Sequence, residues 1–329
     1  MAVKVGLIGT GWVAGVHVEA LKKIPGIEVA AISGRNEGKA AQLASPIQAH
    51  SYGDYREMLK KEQLDAVFIL MPPHAHGEIE KECALRVPAV FIEKPVANNL
   101  KTAWEIRKAF EKAGTLVSVG YMMRYHASVN HARTLFHNSA DKPALISGWW
   151  VNPMPGPLWW RTGSLSGGQF VEQCTHLVDA SRYIAGEIKR LSAFSTKGFV
   201  KDVTDYATED AMTVSVEYIS GAVGSFFTGC FPRTGGNIGL TLESRSIRCA
   251  FSGWGMALEA DYGNGHTELF KEGGQEIFVK TDTAFLNAVS TGNTSGILST
   301  YDDSIKTLEV TLAAVESAAS GKTVVIGGG

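Results

Sequence analysis

Residues 3–14 read Val-Lys-Val-Gly-Leu-Ile-Gly-Thr-Gly-Trp-Val-Ala, an apolar strand-like run, Val3–Ile8, that passes without a break into a glycine turn and a helix-like stretch, 12–23. Gly9 permits the tight turn, and Gly11 lets backbone approach an anionic group. Ala14 keeps helix and strand close, while the helix start supplies N–H groups and a positive dipole end. The bare letters GxGxxA are a weak signal; their position at the first strand–helix junction is the stronger one. The junction therefore predicts a dinucleotide pyrophosphate held by Gly9, Thr10, Gly11, Trp12, Val13 and Ala14, against the plainer reading of a glycine turn that binds nothing.

Working outward, strand-like and helix-like stretches alternate up to residue 121. The apolar runs are Val3–Ile8, Ile27–Ile32, Ala66–Met71, Ala89–Ile92 and Leu116–Val119, with helical stretches at 12–23, 36–44, 75–86 and 99–113. Strands apolar along their whole length belong in a parallel sheet covered on both faces, so 1–121 reads as a doubly wound Rossmann domain of the α/β class. From 122 to 329 the pattern is different. Helical pieces at 126–137 and 168–185 flank a Trp/Pro/Gly-rich loop, 149–168, and period-two segments such as Thr213–Tyr218 follow. Turn signals at Ser220–Gly221, Gly235–Gly236 and Gly273–Gly274 space these strands, and the last predicts a hairpin between ELFKE and QEIFVK. This half reads as an α+β domain on a large, mostly antiparallel open sheet, closed by a helix over 302–319 with Gly321 beyond it.

The chain has 329 residues, 45% hydrophobic and 19% charged, which suits two globular domains and argues against disorder. With 31 basic against 33 acidic residues there is no positive field to gather nucleic acid or anionic lipid. Cys83, Cys174, Cys230 and Cys249 lie far apart without a CxxC pair, so no zinc ribbon or disulfide framework is expected and no metal is assigned. Neither a leader-like N-terminus nor a long apolar run is present, and a cytoplasmic protein is expected.

Where the second strand ends, Ile32-Ser33-Gly34-Arg35-Asn36 lacks the carboxylate that ordinarily takes the ribose hydroxyls of NAD. Ser33, Gly34 and Arg35 suit a 2′-phosphate instead, so NADP is favoured, with NAD as the alternative if Arg35 only stacks on adenine. Two further strand ends, Met71-Pro72-Pro73-His74-Ala75-His76 and Glu93-Lys94-Pro95, fall at the carboxyl edge where open α/β sheets bind ligands. Met71, Pro72, His74, His76, Glu93, Lys94 and Pro95 are accordingly cofactor candidates, His76 toward the nicotinamide. Lys94 can donate a hydrogen bond to a reacting oxygen; an ordinary salt bridge to Glu93 competes with that reading.

On a regular helix after Gly167-Gly168, Glu172, His176, Asp179 and Tyr183 share one side and Phe170, Cys174, Leu177, Val178 and Ile184 the other. An imidazole between two carboxylates suits a general base near neutral pH; a solvated face or a metal site are the alternatives. Trp149, Trp150, Trp159, Trp160 and Arg161 suit the wall of a pocket for a polyhydroxylated ring, or equally a core or subunit contact. Arg124, in Gly120-Tyr121-Met122-Met123-Arg124-Tyr125, supports the site or binds substrate.

Taken together, GxGxxA, PPHAH at 72–76, Glu93-Lys94-Pro95, GYMMRY at 120–125 and GGQFVEQCTHLVDASRYIAG at 167–186 resemble the glucose-fructose oxidoreductase, inositol dehydrogenase and MocA-like family (Gfo/Idh/MocA). The resemblance runs over nearly the whole chain. It implies hydride transfer between a nicotinamide and a secondary alcohol or ketone of a sugar, polyol or related compound, with assembly into a homodimer or homotetramer through the C-terminal sheet. Lys94 matches the lysine of the EKP motif and His176 the histidine of the acid-x3-His-x2-Asp helix. The implied catalytic set is Lys94, His176 and Glu172, with Arg124, Trp160 and Arg161 joining them around substrate. Which of Lys94 and His176 accepts the proton is left open. Glu172 departs from the aspartate of many members, and Pro73-His74 from their Pro-Asn. The same scaffold also serves a non-catalytic NADP-binding sensor or a glycosidase acting by transient oxidation.

Overall fold

The computed structural model describes residues 2–327 except Glu272 and Gln275. By its internal contacts the chain divides into two compact units, Met1–Met122 with Gln275–Ile305, and Met123–Gly274 with Lys306–Gly329. The chain first crosses between the units after Met122, and residues 275–305 return to the first unit.

The first unit is built on β1 (Val3–Ile8), β2 (Ile27–Ser33), β3 (His50–Tyr52), β4 (Ala66–Ile69), β5 (Ala89–Ile92) and β6 (Leu116–Val119), all parallel, in the order β3-β2-β1-β4-β5-β6. Helices α1 (Trp12–Leu21), α2 (Glu37–Ala44), α3 (Tyr55–Lys61), α4 (Glu78–Ala84) and α5 (Leu100–Ala113) connect them. Val5, Leu7, Val67, Phe68, Val90 and Phe91 are fully buried, as strands covered on both faces require. Side chains of Asn36, Asp54 and Asn99 accept N–H bonds at the starts of α2, α3 and α5. The strand order reverses between β1 and β4, which sets a crevice at the carboxyl ends of those two strands.

Sequence patterning did not reveal β3 and α3. A three-residue strand, His50-Ser51-Tyr52, is too short to show a period, and its place is set by pairing with Ala31–Ser33 of β2.

In the second unit, α6 (Ala127–Asn138), the short α7 (Gly163–Ser166) and α8 (Thr175–Ala185) accompany a sheet of nine strands. These are β7 (Leu145–Val151), β8 (Ile188–Thr196), β9 (Ala211–Tyr218), β10 (Val223–Gly229), β11 (Asn237–Glu243), β12 (Arg248–Ser252), β13 (Ala257–Asp261), β14 (Thr267–Phe270) and β15 (Val324–Val325). Their order is β14-β13-β12-β11-β7-β10-β9-β8-β15, with β7 and β10 the one parallel pair between the named strands. One face packs on the core of Phe170, Leu177, Val214, Phe226 and Leu240. On the other, the register lines up Phe194, Thr213, Phe227, Trp149 and Gly239 across five strands. Trp149 stacks on Phe227 and lies over Gly239, where a Cβ would stand 2.2 Å from its ring.

The expected hairpin at Gly273–Gly274 does not form. After β14 the chain enters α9 (Glu276–Thr291), so QEIFVK is helical from Glu276 onward, with Gln275 outside the described residues. Ile277, Phe278, Thr281, Phe285 and Leu286 are buried at helical spacing, and this tertiary burial overrides the local turn signal of the two glycines. The final helix, α10 (Tyr301–Ser320), agrees with the expected 302–319, and Gly321 follows it at φ 69°.

Candidate functional site

Gly9 has φ 128°, and a Cβ on it would stand 2.3 Å from the carbonyl oxygen of Leu70 at the end of β4. No other residue fits there without moving that strand end. Gly11 caps α1 in an extended conformation, with open space where its Cβ would project, so backbone is accessible at the helix start. Ala14 is buried against the sheet and Trp12 is largely exposed. Thr10 abuts Gly34, whose Cβ would come 2.5 Å from the threonine methyl, so the two loops pack directly.

Beside this turn lies a cavity of about 520 Å³ lined by Ser33, Gly34, Arg35, Met71, Pro72 and His74, all expected from sequence, together with Ile8, Gly53, Asp54, Tyr55, Arg56, Ala75 and Ile79. Arg56 is the notable newcomer. Its guanidinium lies 4.7 Å from the centre of the Tyr55 ring, and β3 and α3, which bring it there, had no sequence signature. The cavity holds two arginines against one carboxylate, Asp54, which lies 3.9 Å from Arg56. Arg35 stands at a β2 tip that carries no acid, an arrangement that suits an anionic group beside Arg35.

His76 stands apart from this cavity: its ring is buried, with Nδ1 2.5 Å from Oε1 of Glu80, and Glu80 also accepts the Gly77 N–H at 2.6 Å. The i,i+4 spacing of His76 and Glu80 at the start of α4 produces this bond.

Lys94 is half-buried at the end of β5, and the Lys94–Pro95 peptide is cis. The Glu93 carboxylate, a cofactor candidate and the sequence's rival partner for Lys94, turns into the core and lies 3.3 Å from Nε2 of His17. His17 in turn sits 2.9 Å from Asp282 of α9. Neither His17 nor Asp282 was legible as a site residue, since their approach depends on the return of α9.

The second unit carries the other expected residues. Residues Phe170–Cys174 form a π-helical turn ahead of α8, so the regular wheel does not hold across Glu172 and His176. Glu209 accepts N–H bonds from Gln169 at 2.6 Å and Phe170 at 3.3 Å, and it occupies the room a Cβ on Gly168 would need. Glu172, His176 and Asp179 are all buried, which rules out a solvated face. The His176 ring stacks on Trp150 at 5.7 Å and meets Trp254 edge-on at 5.8 Å.

Asp179, expected to orient His176, gives its oxygens to Arg124 at 2.7 and 2.6 Å and to Thr307 at 2.8 Å. Arg124 thus holds a buried carboxylate with two bonds, and its guanidinium also stacks 4.9 Å over Tyr183. Trp149 and Trp150 belong to β7 and point to opposite faces, so the expected loop begins later. Trp159 and Trp160 stack on each other at 5.3 Å in a short turn, and Trp160 donates to Gln169 at 3.1 Å. Arg161 shares that turn, with its carbonyl accepting the Ala207 N–H.

Burial pushes the thiols of all four cysteines up, so none is an activated nucleophile. Among the described residues no cluster of three or more His, Cys, Asp or Glu is arranged to hold a metal ion, and no helix is long and apolar enough to cross a membrane.

A 3-2-1-4-5-6 parallel sheet with a glycine turn at its switch point defines a dinucleotide-fold protein. The model of the oxidoreductase family with an NAD-binding Rossmann fold (GFO_IDH_MocA) matches residues 3–121, and the GFO/IDH/MocA C-terminal domain matches 139–244. The chain belongs to the Gfo/Idh/MocA oxidoreductase family.

Uncharacterized oxidoreductase YrbE of Bacillus subtilis is 28% identical over 225 residues, covering 66% of this chain and 64% of that protein. Myo-inositol 2-dehydrogenase of Thermotoga maritima is 26% identical over 224 residues, covering 67% and 66%. The chain thus spans just under two thirds of these relatives' length. Levoglucosan dehydrogenase in complex with NADH matches with a TM-score of 0.90 at 19% identity over 99% of each chain, a likeness of fold.

Proposed function

We propose that this protein is an NAD(P)-dependent oxidoreductase acting on a secondary alcohol or ketone of a sugar, polyol or related small molecule, with NADP preferred. The observation that carries the reading is the Gly9 turn beside a cavity that holds both Arg35 and Arg56. A dinucleotide fits these residues: backbone at Gly9–Gly11 for the pyrophosphate, and Ser33, Gly34 and the two guanidinium groups for a phosphorylated ribose. When bound, the nicotinamide supplies or takes up the hydride.

This chain's own side chains would manage the proton. In the oxidative direction His176 takes the hydroxyl proton, its ring held in place by stacking on Trp150. Lys94 donates a hydrogen bond to the developing oxyanion, and Glu172 orients the base or a neighbouring hydroxyl. The reverse division of labour between Lys94 and His176 uses the same groups. Trp160 and Arg161 form the pocket wall. The activity named for the Thermotoga maritima relative, a myo-inositol 2-dehydrogenase, and the complex of the levoglucosan enzyme with NADH support this class of reaction and of substrate. The row of exposed Phe194 and Phe227 with half-buried Trp149 supports assembly of copies through the nine-stranded sheet, which light scattering tests.

The deciding experiment follows NADPH or NADH absorbance across a panel of polyols and aldoses, with Lys94→Ala and His176→Ala beside the native chain. Each substitution is expected to cut turnover by about 10²-fold with cofactor affinity nearly kept. Native turnover in both variants would end the mechanism, and tight cofactor binding with no turnover on any substrate would favour a sensor.

A further inference from the structure

Glu209 is buried in the second unit, ahead of β9. Its Oε1 accepts the Gln169 N–H at 2.6 Å and the Phe170 N–H at 3.3 Å, and its Oε2 accepts the Thr208 hydroxyl. The first N–H groups of a helix have no partner within it, and a local Ser, Thr, Asp or Asn side chain usually supplies one. Here the local position is Gly168, at φ 94°, where a Cβ would stand 2.7 Å from both carboxylate oxygens. The glycine lets the backbone wrap a carboxylate that comes from 40 positions further along the chain.

One peptide group joins this cap to the candidate site. The Gly168–Gln169 peptide gives its N–H to Glu209, while its carbonyl accepts the Glu172 N–H at 3.0 Å. A peptide group is planar, so a carboxylate that fixes one edge also fixes the direction of the other. The Gln169 side chain takes the Trp160 indole N–H at 3.1 Å, and Ala207, two residues before Glu209, donates its N–H to the Arg161 carbonyl at 2.8 Å. Burying a carboxylate is unfavourable unless its oxygens are bonded. What a distant one adds over a local cap is a fixed spacing between two segments.

We propose that Glu209 is a positioning residue for Glu172: by holding the Gly168–Gln169 peptide plane it sets the place of the π turn on which Glu172 stands. The inference rests on the reading of Glu172 as a site group.

The test compares Glu209→Asp, which keeps the charge but is one methylene short of the two N–H groups, with Glu209→Gln, which keeps the reach. Deuterium exchange at the Gln169 and Phe170 amides of the full chain, read by mass spectrometry, is expected to quicken about ten-fold or more in Glu209→Asp. In Glu209→Gln it should stay within about two-fold, since the amide oxygen still accepts both bonds. With NADP and the fastest substrate among polyols and aldoses, kcat is expected to fall about ten-fold or more in Glu209→Asp, with KM for NADP within about two-fold. It should stay within about three-fold of native in Glu209→Gln. In a Glu172→Ala background Glu209→Asp should lower kcat by less than about two-fold further, because its effect passes through Glu172. Unchanged exchange in folded Glu209→Asp would overturn the proposal, as would an equal fall of kcat with and without Glu172, the mark of a general structural defect. A ten-fold loss of kcat in Glu209→Gln would overturn it even if Glu209→Asp fails to fold. Native turnover in Glu172→Ala would instead remove the reading of Glu172, and the exchange measurement, which needs no turnover, keeps the two failures apart.

Discussion

Arg124 grips Asp179 with two bonds, Nε to Oδ2 at 2.7 Å and Nη2 to Oδ1 at 2.6 Å, and both side chains are nearly inaccessible to solvent. Removing one member of such a pair leaves an uncompensated charge in the core. Arg124→Ala is expected to destabilise the protein by about 3–5 kcal/mol in denaturant unfolding. A loss below about 1 kcal/mol, with a raised KM for substrate, would return Arg124 to substrate binding.

The two glycines of the first turn should behave differently. Gly9→Ala places a Cβ against the Leu70 carbonyl oxygen at a positive φ, and a melting-temperature loss is expected, from strain of at least about 1–3 kcal/mol. Gly11→Ala meets nothing in the protein, so the fold should melt as the native chain does. Its dinucleotide affinity, followed by NADPH fluorescence, should still fall about ten-fold or more because the methyl stands where the pyrophosphate approaches. Equal affinity in Gly11→Ala would place the cofactor elsewhere.

Arg35 and Arg56 line the same cavity. Arg35→Ala and Arg56→Ala are each expected to weaken NADPH about ten-fold while changing NADH less than about two-fold, since only the former carries the extra phosphate. Parallel titrations with both cofactors check this, and an unchanged ratio in both variants would remove the NADP preference.

His17 makes stability depend on pH in a defined direction. Its folded value, about 10, lies above the ordinary histidine value, so its contribution is fully present below about pH 6.5 and is lost as pH rises through 10. The melting temperature of the native chain should fall by at least about 4 °C between pH 6.5 and 10, and less steeply in Asp282→Asn, where the main opposing charge is gone. Identical slopes in the two proteins would contradict the assigned charge on His17.

Much of the first unit was legible because each strand carries its own signal. Val3–Ile8, Ala89–Ile92 and Leu116–Val119 were read with the bounds the structure has, as continuous apolar runs closed by turns. The short β3 and α3 lacked such a signal, and with them went Arg56. In the second unit the wheel over 168–185 assumed a regular period, which the π turn at Phe170–Cys174 interrupts. Motif spacing located Glu172 and His176 on that segment. The partners of Asp179 depended instead on Arg124 and Thr307, which are 55 and 128 residues away in the chain.

Local chemistry alone determined the Rossmann architecture, the glycine turn and the identity of the residues at the strand tips, because backbone turns and apolar periods are written in neighbouring residues. Tertiary structure decided which of those side chains line a cavity and which partners the others meet: His76 meets Glu80, Arg124 meets Asp179, and Glu93 meets His17. A charged group leaving water takes whatever opposite charge the fold brings within bonding distance, and that choice rests on elements such as α9 whose approach no local pattern records.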